Sequence, residues 1–213
     1  SIEGSGLPSD YKKAIAEYIW NGFDAGASTI NIDFSANSIG TLESFSISDN
    51  GSGISFDNIS DTFGNFMVSL KANSFSETGF VKGKKGKGRY SFSTFCNKAT
   101  WSTIFKTKED KFLEYNIQIK KESSQDFETF DRVISKEQKT GTKVIFEGFT
   151  EIYGDLLDNE EFEKFLANEF GWFLYLNKER DFKILLNNNP LDYFSVIDDT
   201  DEKNIPIGDY NFK

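Results

Sequence analysis

Apolar positions along this chain change their period several times. Ile15, Ile19, Trp20 and Phe23 fall at helical spacing and predict a helix from Ser9-Asp10 to about Gly26, with Ser9 as its N-cap after Pro8. "TINIDFS" (29–35) and "LESFSIS" (42–48) alternate in the manner of strands, with "NSIG" between them as a turn. "SFDNISDTFGNFM" (55–67) reads as a short helix capped by Ser55, and "RYSFSTFC" (89–96) as another. Strands are predicted at 98–108 and 111–120 around an Glu109-Asp110 hairpin, more weakly at 127–135, and strongly at 141–149. Phe162, Phe165, Leu166, Phe170, Phe173 and Leu174 mark an amphipathic helix over 159–177. Residues 181–194 read as strand, turn and short strand. This order predicts an α+β fold, a mixed and mostly antiparallel sheet with helices on one face.

Three segments stand outside that pattern. Residues 1–8 read as a flexible lead-in and "DDTDE" (198–202) as a solvated acidic loop. Residues 71–88 form a long polar, glycine-bearing stretch whose length predicts a functional loop or lid.

Composition narrows the classes. At 213 residues the chain can bury a sizeable core, and its 23 phenylalanines predict that the core is phenylalanine-rich. A net charge of −10 argues against a nucleic-acid footprint over the whole surface. The single cysteine, Cys96, excludes an internal disulfide and fits a reducing compartment. With no histidine in the chain, Ser-His-Asp and Cys-His catalysis, histidine zinc sites and histidine autophosphorylation are excluded. No apolar run reaches the length of a membrane span and no signal peptide opens the chain, so a cytoplasmic location is expected. The first residue is Ser1, which reads as a processed or truncated end.

Three stretches carry candidate chemistry. Glu17, Asn21 and Asp24 lie at i, i+4 and i+7, one stripe of the first helix. Asn offers a neutral oxygen to Mg²⁺, and a carboxylate one turn away can take a proton from water; the stripe also reads as an ordinary solvated face. In "SDNGSGI", Asp49 ends a strand, and Gly51 and Gly53 let backbone approach a ligand closely, or simply make a tight turn. In "GKKGKGR", Gly83, Gly86 and Gly88 precede a helix among four cations, an arrangement that suits phosphate and also suits a plain basic loop. Neither stretch is a Walker A loop or a dinucleotide fingerprint, because Arg89 follows Gly88 and Phe56 stands where the third glycine belongs.

Taken in order, these stretches resemble the GHKL ATPases, which include DNA gyrase, MutL-type repair proteins, large heat-shock chaperones, MORC proteins and histidine kinases. "EYIWNGFDAGAS" resembles the N box, "DNGSGI" the D-x-G-x-G box, "GKKGKGRYSF" the G-x-x-G-x-G box in the variant of bacterial stand-alone ATP-binding proteins, and "GTKVIF" the late strand opening with Gly-Thr. The resemblance covers Ala14 to about Phe146. It implies a Bergerat fold, a two-layer α/β sandwich in which ATP lies between helices and a mobile lid. It implies Glu17 as the base for water, Asn21 as the Mg²⁺ ligand and Asp24 as a pocket carboxylate. Asp49 would take the adenine amine with help from Thr142 through a shared water. Gly51, Gly53 and Ile54 would wall the base, and Gly83, Gly86 and Gly88 would cradle phosphates. Lys71 matches a basic residue at the start of the lid.

The resemblance also divides the chain into an ATP-binding core at 9–150 and a helix-and-strand extension of the same domain at 151–213, leading to a downstream domain. Hydrolysing relatives borrow a Lys or Arg from such a domain, so this chain alone would turn ATP over slowly. The whole protein would form an ATP-dependent homodimer, with nucleic acid reached only through other domains. A non-hydrolysing switch and a protein kinase are the alternatives; Glu17 argues against the kinase, whose branch usually lacks that carboxylate. Cys96 reads as a buried structural thiol, and Trp20, Trp101 and Trp172 as core or interface. The aromatic face at 162–174 reads as core or as a dimer contact.

Overall fold

The structure is a computed structural model and describes residues 10–59, 63, 88–123 and 127–197. The predicted lead-in, most of the glycine-bearing stretch, the later part of the helix predicted at 55–67 and the acidic tail lie outside the described residues.

Helix α1 runs Tyr11–Asp24. Its N-cap is Asp10, not the predicted Ser9: the Asp10 carboxylate accepts from the Lys12 N–H at 2.9 Å, satisfying one of the orphan donors of the first turn. Ala25 is its C-cap, and Gly26 beyond it has a φ of +79° that lets the chain turn back while Ala27 N–H donates to the Gly22 carbonyl. Ile15, Ile19 and Phe23 are buried, as their spacing predicts.

Strands β1 (Thr29–Ala36), β2 (Leu42–Asp49), β3 (Cys96–Lys106), β4 (Phe112–Lys120), β5 (Glu128–Ile134) and β6 (Gly141–Phe149) are followed by a one-turn helix α2 (Gly154–Leu157) and by α3 (Glu160–Leu176). Strands β7 (Lys183–Leu186) and β8 (Asn189–Pro190) close the series. One eight-stranded sheet results, in the order β5-β4-β3-β6-β2-β1-β7-β8. Among the described residues only β1 and β7 pair in parallel. The fold is α+β, as the order of elements predicts.

One face of the sheet carries the helices. Thr142, Val144 and Phe146 on β6 point into the core, whereas Lys143, Ile145 and Glu147 point to solvent. The core is rich in phenylalanine: Phe45, Phe95 and Phe146 meet with ring centroids 4.9–5.8 Å apart. A second ring cluster joins α1 to α3, where Phe23 touches Phe170, Phe173 and Phe182, and Trp20 packs on Phe170 at 4.8 Å. Trp101 is buried, Trp20 half-buried and Trp172 exposed.

Two predicted elements differ. The segment at 89–96 is a 3-10 helix, Gly88–Thr94, and Cys96 begins β3 because it pairs with Phe149 across the sheet. Ser55 does precede a helical turn, but that turn is 3-10, Phe56–Asn58, with no side-chain cap bond. The strand over 128–134 is exposed throughout, in keeping with its place at the sheet edge and its weak pattern.

Candidate functional site

A cavity of about 340 Å³ opens between α1, the loop after β2 and the sheet. That volume falls at the lower end of what small-molecule sites occupy. Asn21, Asp49, Gly53, Ile54 and Thr142 of the predicted site residues line it.

Among its polar groups is the half-buried Asp49, at the end of β2. The carboxylate accepts from Gly51 N–H at 2.8 Å. Burial pushes the Asp49 carboxyl up, and the N–H groups of Gly51 and Thr142 oppose that by holding the charged form. Asp49 and Thr142 are direct partners across β2 and β6, and Thr142 is in turn the partner of Thr103 across β6 and β3. The three side chains therefore share one rung of the sheet. Thr103 and Thr142 place their hydroxyl oxygens 3.0 Å apart.

The loop after Asp49 is tied down at both ends. Asn50 Oδ1 accepts from the N–H groups of Ser28 and Thr29, each at 2.9 Å, fixing the loop to the start of β1. Ile54 N–H donates to Thr103 Oγ1 at 2.9 Å, and the Ile54 carbonyl accepts from the Tyr115 hydroxyl at 2.9 Å. Gly53 has φ +72°, and a Cβ there would strike the Ile104 carbonyl, so glycine is required for the loop to lie on β3. At Gly51 a Cβ would meet the Ala25 carbonyl and Asp49 Oδ1, each at 2.9 Å.

The helix wall is turned by one residue from the predicted stripe. Tyr18, Asn21, Gly22 and Ala25 line the cavity, and of the stripe only Asn21 is among them. Glu17 and Asp24 are exposed. Glu17 instead faces Gly88: a Cβ on that glycine would lie 2.5 Å from Glu17 Oε2. Partial burial raises the Glu17 pKa, and the neighbouring Glu169 and Asp24 carboxylates add to it. Gly88 thus meets the Glu17 carboxylate, while Lys71, Gly83 and Gly86 lie outside the described residues.

Several residues that shape the site are not among the predicted site residues. Arg89 and Lys106 bring positive charge to the wall. The Arg89 guanidinium lies 5.3 Å from the Phe63 ring, and the Tyr18 hydroxyl donates to its carbonyl at 2.7 Å. Burial lowers the Arg89 pKa, though an arginine keeps its charge. Thr103 and Tyr115 hold the loop from strands whose alternation marks them as inward-facing, which was the available signal.

Among the described residues no cluster of three or more His, Cys, Asp or Glu is placed to hold a metal ion. Asn21 supplies one neutral oxygen donor, which fits an ion that takes its remaining ligands from water and phosphate. The cavity as a whole offers a charged acceptor beside a hydroxyl at one end of a slot walled by glycine backbone. That arrangement suits the edge of a flat heterocycle bearing an amine. Among the described residues no helix is long and apolar enough to cross a membrane.

A family model described as "Histidine kinase-, DNA gyrase B-, and HSP90-like ATPase" matches residues 9–146. The fold is similar to that of the MutL ATPase domain from Aquifex aeolicus, solved in complex with ADP. The TM-score is 0.50 and the identity 14%, over 86% of this chain and 62% of that one. The chain therefore spans less than two thirds of that structure. No curated protein matches the chain.

Proposed function

Because the chain belongs to the histidine kinase-, DNA gyrase B- and HSP90-like ATPase family, we propose that it binds ATP in the cavity between α1 and the sheet and hydrolyses it slowly. The observation that carries this reading is Asp49: a half-buried carboxylate held by backbone donors, on the same rung as Thr142, facing a slot lined by the Gly53–Ile54 backbone. Such a carboxylate accepts from the adenine amine, and Gly51, Gly53 and Ile54 leave room for a flat ring.

Glu17 then acts as the base that takes a proton from the attacking water. Its raised pKa brings it closer to the range useful for that task near neutral pH. Mg²⁺, when bound, would neutralise phosphate charge, with Asn21 as its protein oxygen ligand. Asn21 holds the phosphate end of the substrate against α1. Gly88 keeps the start of the lid helix in contact with Glu17, and Gly83, Gly86 and Lys71 complete the phosphate cradle. Asp24 belongs to the same helix face as Glu17 and adds to the negative field at its carboxyl.

In the larger protein, nucleotide state would close the lid and drive dimerisation in the cytoplasm. Residues 151–213 would belong to the same domain and lead into the next one. The ADP held by the MutL domain supports the nucleotide reading. Calorimetric titration with Mg-ATP tests it. The wild-type chain should bind and Asp49→Ala should not; unchanged binding by Asp49→Ala would overturn the assignment.

A further inference from the structure

Thr103 is fully buried, and it lies behind the cavity wall instead of in it. Its hydroxyl oxygen accepts from Ile54 N–H at 2.9 Å, stands 3.0 Å from Thr142 Oγ1 and is 3.3 Å from the Gly141 carbonyl. A hydroxyl has one proton and two lone pairs. Ile54 takes one lone pair. The proton therefore has two destinations, the Gly141 carbonyl or Thr142 Oγ1.

We propose that Thr103 is a positioning residue for base recognition, holding the Thr142 hydroxyl in place and setting whether it offers the cavity a lone pair or a proton. The proposal rests on the nucleotide reading above. In the first arrangement Thr103 donates to the Gly141 carbonyl, and Thr142 donates to Thr103. Every capacity of the buried Thr103 hydroxyl is then used, and Thr142 shows the cavity only lone pairs. In the second, Thr103 donates to Thr142, which frees the Thr142 proton for a ligand. The two differ by rotation of two hydroxyl hydrogens, with no heavy atom displaced.

The second arrangement makes Asp49 an acceptor and Thr142 a donor on adjacent strands of one rung. Adenine presents the complementary edge: an amine N–H beside a ring nitrogen, N1, that accepts directly or across one water. Guanine presents a carbonyl oxygen where Asp49 requires a donor, and is repelled. Thr103 also fixes the wall of the slot, since it holds the N–H of Ile54 and Tyr115 holds its carbonyl. Valine at this position keeps the shape but neither donates nor accepts. The Thr142 hydroxyl is then no longer aimed at the base.

Calorimetry with ATP and with an ATP analogue carrying C–H in place of N1 tests this. The wild-type chain should prefer ATP about tenfold, the effect of one hydrogen bond. Thr103→Val should reduce the preference below about threefold, and Thr103→Ser should keep it near tenfold. A merely structural role would weaken both nucleotides equally and leave the ratio alone. A tenfold preference surviving in Thr103→Val, or lost in Thr103→Ser, would overturn the proposal. Should Thr103→Val fail to fold, Thr103→Ala decides, since it too removes the hydroxyl and leaves less bulk: loss of the preference supports the proposal and retention overturns it. Absence of ATP binding by the wild-type chain would instead sink the nucleotide reading, and this proposal with it.

Discussion

Gly22 and Asp49 stand so close that a Cβ on the glycine would lie 3.1 Å from the Cβ of the aspartate. The same Cβ would press on the Ile30 Cδ1 methyl, the mobile end of its side chain. This approach seats α1 against the end of β2 and sets the width of the slot. Gly22→Ala adds about 1 kcal/mol of helix propensity and costs about 1–3 kcal/mol in overpacking. The net loss is about 1 kcal/mol, a fall in thermal midpoint of about 2–4 °C. Nucleotide affinity should fall further, about tenfold, since the displaced group is the carboxylate itself. Calorimetry and a thermal melt on the same preparation separate the two effects. Equal ATP affinity in the variant would show that the close approach does not shape the slot.

Glu17→Gln should separate binding from turnover. The amide keeps the side chain's shape against Gly88 but cannot accept a proton from water. Mg-ATP affinity should remain within about threefold of wild type, while phosphate release falls by a factor of about 10² or more. A variant that still released phosphate at the wild-type rate would move the base elsewhere.

The raised pKa of Asp49 gives ATP binding a direction with pH. The ordinary value is 3.8, and burial lifts the folded group above it. Between the two values the folded chain holds a proton that the unfolded chain has lost. The contribution of this group to stability therefore falls as pH rises through that window. Binding runs the other way, because the adenine amine needs the charged form. ATP affinity should weaken as pH is lowered through the raised pKa, while the effect on turnover also carries the titration of Glu17. Measuring the binding step alone by calorimetry keeps them apart. Affinity that stays flat down to the ordinary aspartate range would contradict the role of Asp49.

Cys96 should be inert in the folded chain. Its thiol is buried against the sheet, donates to the Lys98 carbonyl at 3.4 Å, and is pushed up to about 12 by burial. Iodoacetamide at pH 8 should leave it unmodified in buffer and alkylate it fully in urea, as read by mass spectrometry. Rapid labelling of the native chain would show that β3 opens at its first residue.

The hydrophobic pattern resolved the elements well where side chains alternate strictly between core and solvent. Residues 141–149 are a strand over the predicted span, and the last helix lies within one residue of its predicted ends at each side. Neighbour relations were less legible. Alternation says which face a residue takes but not which strand lies beside it, so the parallel pairing of β1 with β7 was not foreseen. The same limit hid Thr103 and Tyr115, whose roles depend on how the loop at 51–54 crosses β3 and β4. On α1, spacing placed Glu17, Asn21 and Asp24 on one stripe, but Gly22 lets the helix roll toward β2, and Tyr18 and Ala25 take the cavity side. The neighbours of Cys96 permit a helix, but pairing with Phe149 outweighs that local preference.

The parallel seam between β1 and β7 decides where this protein can be cut. The family match stops at residue 146, yet the sheet continues past it. Lys183 N–H donates to the Ser28 carbonyl, Asn187 N–H to the Ile32 carbonyl, and Asn187 Oδ1 accepts from Phe34 N–H. A fragment trimmed to the matched segment would lose these partners along β1 and strip Phe170, Phe173 and Phe182 from the flank of Phe23. The bared strand would be a template for pairing with other chains. For expression or crystallisation, the shortest sound piece extends at least through Pro190, where the last strand ends.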